Sequence, residues 1–148
     1  MIREAMYSTT ELADELRPAL LRVARELRKE TEQLGVTSRQ VTLLWLVRGR
    51  PGTSLRELAA EEGISAPSLS GHIDRLERLG LLERVRATDD RRRVGLRLTT
   101  EGTKLLRRVR SLRTTWLAER LARLEPDELD RIAGALPALH RLTATEPL

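Results

Sequence analysis

Apolar residues recur along this chain mostly at helical spacing, with one break into strand-like alternation past its middle. Leu12, Leu16, Leu20, Val23, Leu27 and Leu34 follow steps of three, four and seven, which places them on one face of a helix. A Ser-x-x-Glu capping box at Ser8 and Glu11 marks the start of that helix, and Gly35 its end. Pro18 falls inside, where its missing N–H and its ring predict a kink or a delayed start. A second box, at Thr37 and Gln40, opens a segment that is apolar nearly all round: Val41, Leu43, Leu44, Trp45, Leu46 and Val47. Such a helix belongs in the interior.

Two short helices follow. Ser54 and Glu57 form a third capping box, Leu55, Leu58 and Ala59 face inward, and Gly63 suits the stop. Ser65 then caps a helix over 65–79, with Pro67 in its first turn and Leu69, Ile73, Leu76 and Gly80 along one side. Only Gly63 and Ile64 separate the two, which is helix-turn-helix spacing. The period then drops to two. Residues 81–87 and 94–98 read as strands, with Val94, Leu96 and Leu98 alternating with Gly95 and Arg97. Between them stands a charged hairpin tip, Asp89-Asp90-Arg91-Arg92-Arg93.

Thr99 or Thr100 caps a long helix to about Leu124, striped by Leu105, Val109, Leu112, Trp116 and, after a register change, Leu117, Leu121 and Leu124. Glu125-Pro126-Asp127 breaks it. The last helix carries Leu129, Ile132, Leu136, Leu139 and Leu142, and Pro137 predicts a kink. The expected fold is mainly α with a small β-wing. A winged helix-turn-helix spans 37–99, and a helical region comes from both termini, 1–36 and 100–148, within one structural domain.

The terminal stripes hold more apolar surface than a small winged module covers. Burial against a second copy is the simplest solution, and it assigns Leu12, Leu16, Leu121, Leu129, Ile132, Leu136 and Leu139 to dimerisation. The competing arrangement is a monomer whose terminal helices pack on each other.

Composition narrows the chemistry. Every basic residue except Lys29 and Lys104 is arginine, and the formal net charge is +5. Arginine forks match phosphates and guanine edges. A GC-rich genome favours arginine just as readily, so position must carry the argument. The absence of cysteine excludes disulfides, thiol redox sensing and cysteine-ligated zinc. No stretch approaches the ~18 apolar residues of a membrane helix and no signal peptide is visible, so a cytoplasmic protein is expected. His72 and His140, the only histidines, stand in no metal-ligand spacing and beside no nucleophile. No enzyme, cofactor or metal site is expected.

With Leu69, Ile73 and Leu76 inward, the helix over 65–79 turns Pro67, Ser68, Ser70, Gly71, Asp74, Arg75 and Arg78 outward. Small hydroxylic residues permit close approach to base edges, and Gly71 removes a side chain altogether. Asp74 is expected to orient Arg75 or Arg78. Free amides near Ser54 and Ser65 favour phosphate. At the tip, Asp90 is spaced to hold Arg92 for a narrow minor groove, with Arg91 and Arg93 beside it. Arg84, Arg86 and Arg97 add possible phosphate contacts. A solvated loop is the plain alternative for this charge run.

Residues 82–102 resemble the wing signature of the MarR family of transcriptional regulators. Asp90-Arg91-Arg92 matches its Asp-x-Arg, and Leu98, Thr99 and Gly102 its Leu-Thr-x-x-Gly. Ser65-Ala66-Pro67-Ser68-Leu69-Ser70 and Asp74-Arg75-Leu76-Glu77 resemble its recognition helix, while Gly71 departs from the larger polar or basic residue common there. The resemblance implies a homodimeric repressor on a pseudopalindromic double-stranded DNA operator. It also implies release by a small, often aromatic or phenolic ligand bound between lobe and dimer region. Arg17 and Trp45 are the chemical candidates for an aromatic acid, with Trp45 as plain core the competing reading. The alternative function is a winged-helix module that binds protein and not DNA; the basic tip would then need an acidic partner.

Overall fold

Side-chain caps start the helices in a computed structural model that describes residues 7–86 and 92–144. In α1 (Thr9–Lys29) the Ser8 hydroxyl accepts from the Glu11 amide at 3.2 Å, and the Glu11 carboxylate accepts from the Ser8 amide at 2.8 Å. Thr37 and Gln40 repeat the exchange at the start of α2 (Ser38–Gly49), as do Ser54 and Glu57 at α3 (Leu55–Glu62). Ser65 caps α4 (Ala66–Arg78) through the Ser68 amide, with Pro67 in the first turn. α5 covers Thr100–Leu121 and α6 covers Pro126–Thr143.

Some boundaries moved. α1 stops at Lys29, not Gly35; a short 3₁₀ turn, Glu32–Leu34, takes the chain on to Gly35, which has φ 74°. Thr31 explains the early stop: its hydroxyl donates to the Arg28 carbonyl at 2.9 Å, in competition with the helix ladder. Both α1 and α6 run through their prolines, Pro18 and Pro137. α3 and α4 are separated by Gly63, Ile64 and Ser65.

The strands β2 (Leu82–Arg86) and β3 (Val94–Leu98) pair antiparallel, with Glu83 opposite Arg97 and Val85 opposite Gly95. A third strand, β1 (Thr53–Ser54), was not expected. It lies on the far side of β3, giving the order β1-β3-β2. This strand also corrects the predicted alternation. Val94 is exposed and Gly95 is buried, because Gly95 lies against the turn before β1: a Cβ there would meet the Gly52 carbonyl oxygen at 2.6 Å.

The chain divides into two compact units, residues 1–113 and 114–148. The core belongs to the first. Leu43, Leu44 and Val47 of α2, Leu58 of α3, Leu69, Ile73 and Leu76 of α4, Leu82 and Leu96 of the sheet, and Leu106 and Val109 of α5 are all essentially inaccessible. The buried positions of α5 here are Gly102, Leu106 and Val109: Val109 is as expected, Leu106 is equally buried, and Leu105 and Leu112 are half-buried beside them. Burying each such side chain contributes about 1.5–3 kcal/mol. The second unit comprises the end of α5 and α6; in it the Arg120 guanidinium stacks 3.8 Å from the Trp116 ring centre and donates to the Trp116 carbonyl. Among the described residues no helix is long and apolar enough to cross a membrane.

Candidate nucleic-acid interface

Thr99 joins the sheet to the end of α4. Its hydroxyl donates to the Gly80 carbonyl at 2.6 Å and accepts from the Gly102 amide at 3.0 Å, so one side chain caps α5 and pins the last turn of α4. Gly102 is required here because a Cβ would collide with the Leu81 carbonyl oxygen. The Leu-Thr-x-x-Gly pattern thus has a physical cause: it fixes the helix-turn-helix on the helix behind it.

On α4 the exposed face carries Pro67, Ser68, Gly71, Asp74, Arg75 and Arg78, with Ser70 half-buried at its edge. Among the described residues, and apart from its own helix backbone, no atom comes within 4 Å of a Cβ built at Gly71, so this glycine does not serve packing against another described element. The acidic residues are sorted to one flank. Arg84 of β2 donates to Asp74 Oδ1 and Glu77 Oε1, each at 2.7 Å. The Asp74 hydrogen bond outweighs partial burial and holds the Arg84 guanidinium above its usual pKa. Asp74 therefore does not orient Arg75 or Arg78, as the sequence suggested. These two, with Arg86, form no ion pair among the described residues.

The wing has its own partners. Arg97 and Glu83, opposite each other in the ladder, pair at 2.7 Å, so Arg97, like Arg84, has a carboxylate partner within the protein. Arg93 reaches Glu57 of α3 at 3.0 Å. Arg92 is exposed. Asp89, Asp90 and Arg91 lie outside the described residues, and with them the expected brace between Asp90 and Arg92. The Ser54 and Ser65 hydroxyls are engaged in capping, at 3.1 and 3.3 Å.

The clefts formed by the described residues do not include the two residues expected to bind a ligand. Arg17 is exposed and lies 3.5 Å from Asp14. Trp45 is half-buried against the core, with the Arg48 guanidinium 5.0 Å from its ring centre. Two clefts lie instead beside the α1–α2 junction, sharing Arg28 and Ser38. One, of about 260 Å³, is lined by Ala24, Leu27, Arg28, Ser38, Thr42 and Arg113. The other, of about 400 Å³, extends to Gly35 and Val36. Arg113 is half-buried and, among the described residues, donates to two neutral oxygens, Leu27 O at 3.2 Å and Thr31 Oγ1 at 3.3 Å. Desolvation first, and then repulsion from Arg28, lower its pKa. The sequence did carry a signal for it: Leu106, Val109 and Arg113 follow helical spacing, which sets an arginine in line with an apolar stripe.

The stripe residues of the terminal helices are partly open. Leu12 is 51% exposed, Ile132 42% and Leu136 45%, while Leu16, Leu121, Leu129 and Leu139 are half-buried.

Comparison with known proteins agrees with this geometry. The MarR family profile matches residues 36–94. An HTH-type transcriptional regulator of Mycobacterium tuberculosis is 29% identical over 140 residues, which cover 95% of this chain and 98% of the relative. A solved transcriptional regulator from Pseudomonas aeruginosa is 28% identical with a TM-score of 0.80, over 95% of this chain and 100% of that one. A Staphylococcus aureus MepR mutant, solved bound to an oligodeoxyribonucleotide, shares the fold at 21% identity and a TM-score of 0.69, over 93% of this chain and 99% of that one. The MarR family match over residues 36–94, the helix order, the three-stranded wing sheet and these relatives are those of winged helix-turn-helix, DNA-binding transcriptional regulators of the MarR family.

Proposed function

We propose that this regulator is a homodimeric repressor that reads a pseudopalindromic operator and releases it when a small organic acid binds. The sorting of charge on α4 carries the DNA half of this reading. Its outer face offers small residues and two arginines that form no ion pair among the described residues, while its carboxylates are drawn aside by Arg84. Pro67, Ser68, Ser70 and Gly71 would meet base edges in the major groove, with Arg75 on a flanking phosphate. Arg86, Arg92 and Arg93, with Asp90 and Arg91, would serve the neighbouring minor groove. The helix starts at Ser54 and Ser65 favour phosphate. The oligodeoxyribonucleotide in the related MepR mutant supports this use of the fold.

The exposed leucines of α1 and α6 support pairing of two copies. Two lobes related by a two-fold axis would read half-sites about 34–36 Å apart.

Release is assigned to the smaller α1–α2 cleft. Ala24 and Leu27 give an apolar wall, Ser38 and Thr42 give hydroxyls, and Arg28 and Arg113 give two guanidiniums. A carboxylate there would supply the counter-charge that Arg113 lacks among the described residues. This cleft meets the chemical requirement better than Arg17 and Trp45, which line neither cleft.

Sequencing the DNA that the purified protein retains from a random duplex pool tests the reading. The expected product is an inverted repeat with half-site centres about one helical turn apart. A pool that stays random, or one enriched in an unrepeated motif, would reject it.

A further inference from the structure

Arg84, on the wing strand β2, is ion-paired to α4. It spans two carboxylates one turn apart, Asp74 and Glu77, while its own backbone sits in the pairing ladder opposite Leu96. Exposed ion pairs contribute little to stability, and these three side chains are 33%, 52% and 40% exposed. Their geometry is better than that of a casual pair: two short charge-assisted hydrogen bonds in different directions leave the guanidinium little freedom. A contact of small energetic weight and high directional demand is suited to setting an angle.

We infer that Arg84 is a positioning residue that fixes the direction of α4 relative to the wing, and that it governs discrimination between operator and random DNA more than overall affinity for DNA. The inference rests on the assignment of α4 and the wing to adjacent grooves. A duplex offers those grooves at a fixed angle, so a protein that already holds it loses less freedom on docking. Random DNA, held mainly through phosphates, makes no such demand.

The two carboxylates give the inference a distinctive sign. They border the DNA-facing side of α4, so simple electrostatics predicts that neutralising them tightens binding to any DNA. The clamp predicts the opposite for the operator. The experiment compares Asp74→Asn/Glu77→Gln, Arg84→Met and Arg84→Lys with the wild type. Fluorescence anisotropy is measured on the selected operator and on a random duplex across a salt series, and thermal melting reports whether each variant is folded. The expected result is roughly tenfold weaker operator binding for the double variant and for Arg84→Met, without weaker random-duplex binding by the double variant. Combining the two changes adds little. Arg84→Lys, a point charge that satisfies one carboxylate at a time, falls between.

Unchanged or tighter operator binding by the double variant overturns the inference. So does a salt slope that drops by about one in Arg84→Met, which marks a direct phosphate contact. A wild-type protein with no preference between the two duplexes refutes the underlying groove assignment, and the inference with it.

Discussion

Arg93 at the root of β3 and Glu57 in the first turn of α3 are ion-paired at 3.0 Å, although 36 residues separate them in sequence. The other Glu57 oxygen accepts from the Ser54 amide at 2.9 Å and from the Thr53 hydroxyl at 3.3 Å. One carboxylate thus caps a helix, braces β1 and ties down the wing. The Ser54 amide does most to lower its pKa, and Arg93 adds to that.

A depressed native pKa implies stability that is present above the ordinary carboxylate range and disappears as pH falls through the native value. Glu57→Gln keeps an acceptor at the capping position but loses the charge. The variant should melt below the wild type at pH 7, and the gap should close as pH drops below about 4. Thermal melts from pH 7 to pH 3 check this; a gap of constant width would contradict the assigned role.

Gly71→Ala should separate stability from binding. Alanine fits, since nothing lies within 4 Å of the added Cβ, and a helix-interior glycine costs about 0.5–1 kcal/mol against alanine. Urea unfolding should show that gain, while operator affinity falls because the methyl enters the space for a base edge. A stabilised variant with undiminished affinity would remove Gly71 from the DNA surface.

Gly102→Ala is expected to do the reverse. Its Cβ is aimed at the Leu81 carbonyl, and backbone cannot swing aside as a side-chain end can. A loss of about 1–3 kcal/mol is expected in chemical denaturation. Full stability would mean that α5 can shift along the end of α4.

Arg75→Ala should weaken operator and random DNA alike and lower the salt slope by about one, as removal of one phosphate contact requires. A selective loss on the operator, with the slope unchanged, would make Arg75 a base reader.

For the α1–α2 cleft, the probe is benzoate in a thermal-shift titration. Benzoate should raise the melting temperature of the wild type, and the shift should be lost in Arg113→Met but kept in Arg17→Ala. An equal shift in Arg113→Met would move the acid elsewhere, and loss in Arg17→Ala would restore the earlier candidate.

The fold was largely legible because its signals are local. Ser8 with Glu11, Thr37 with Gln40, and Ser54 with Glu57 each place cap and partner three residues apart, and each helix starts where that pair stands. The site was legible only in composition. Asp74 was matched to arginines within its own helix, yet its partner is Arg84, ten residues on and in a strand. Nothing local marks β1, which has two residues and exists only because β3 offers an edge to pair with. Alternation puts Gly95 on the solvent side of β3, and the same locally unmarked neighbour covers it.

The seam between Gly52 and Gly95 has a consequence for how such a wing can vary. The two backbones touch so closely that even one methyl group at Gly95 has no room. Gly52, at φ 87°, holds a shape that other residues rarely adopt. Both positions are held to glycine, Gly95 by the Gly52 backbone against it and Gly52 by its own positive φ. The seam therefore sets the root of the wing: any side chain at Gly95 must push the turn before β1 away from β3 and loosen the edge on which β1 pairs.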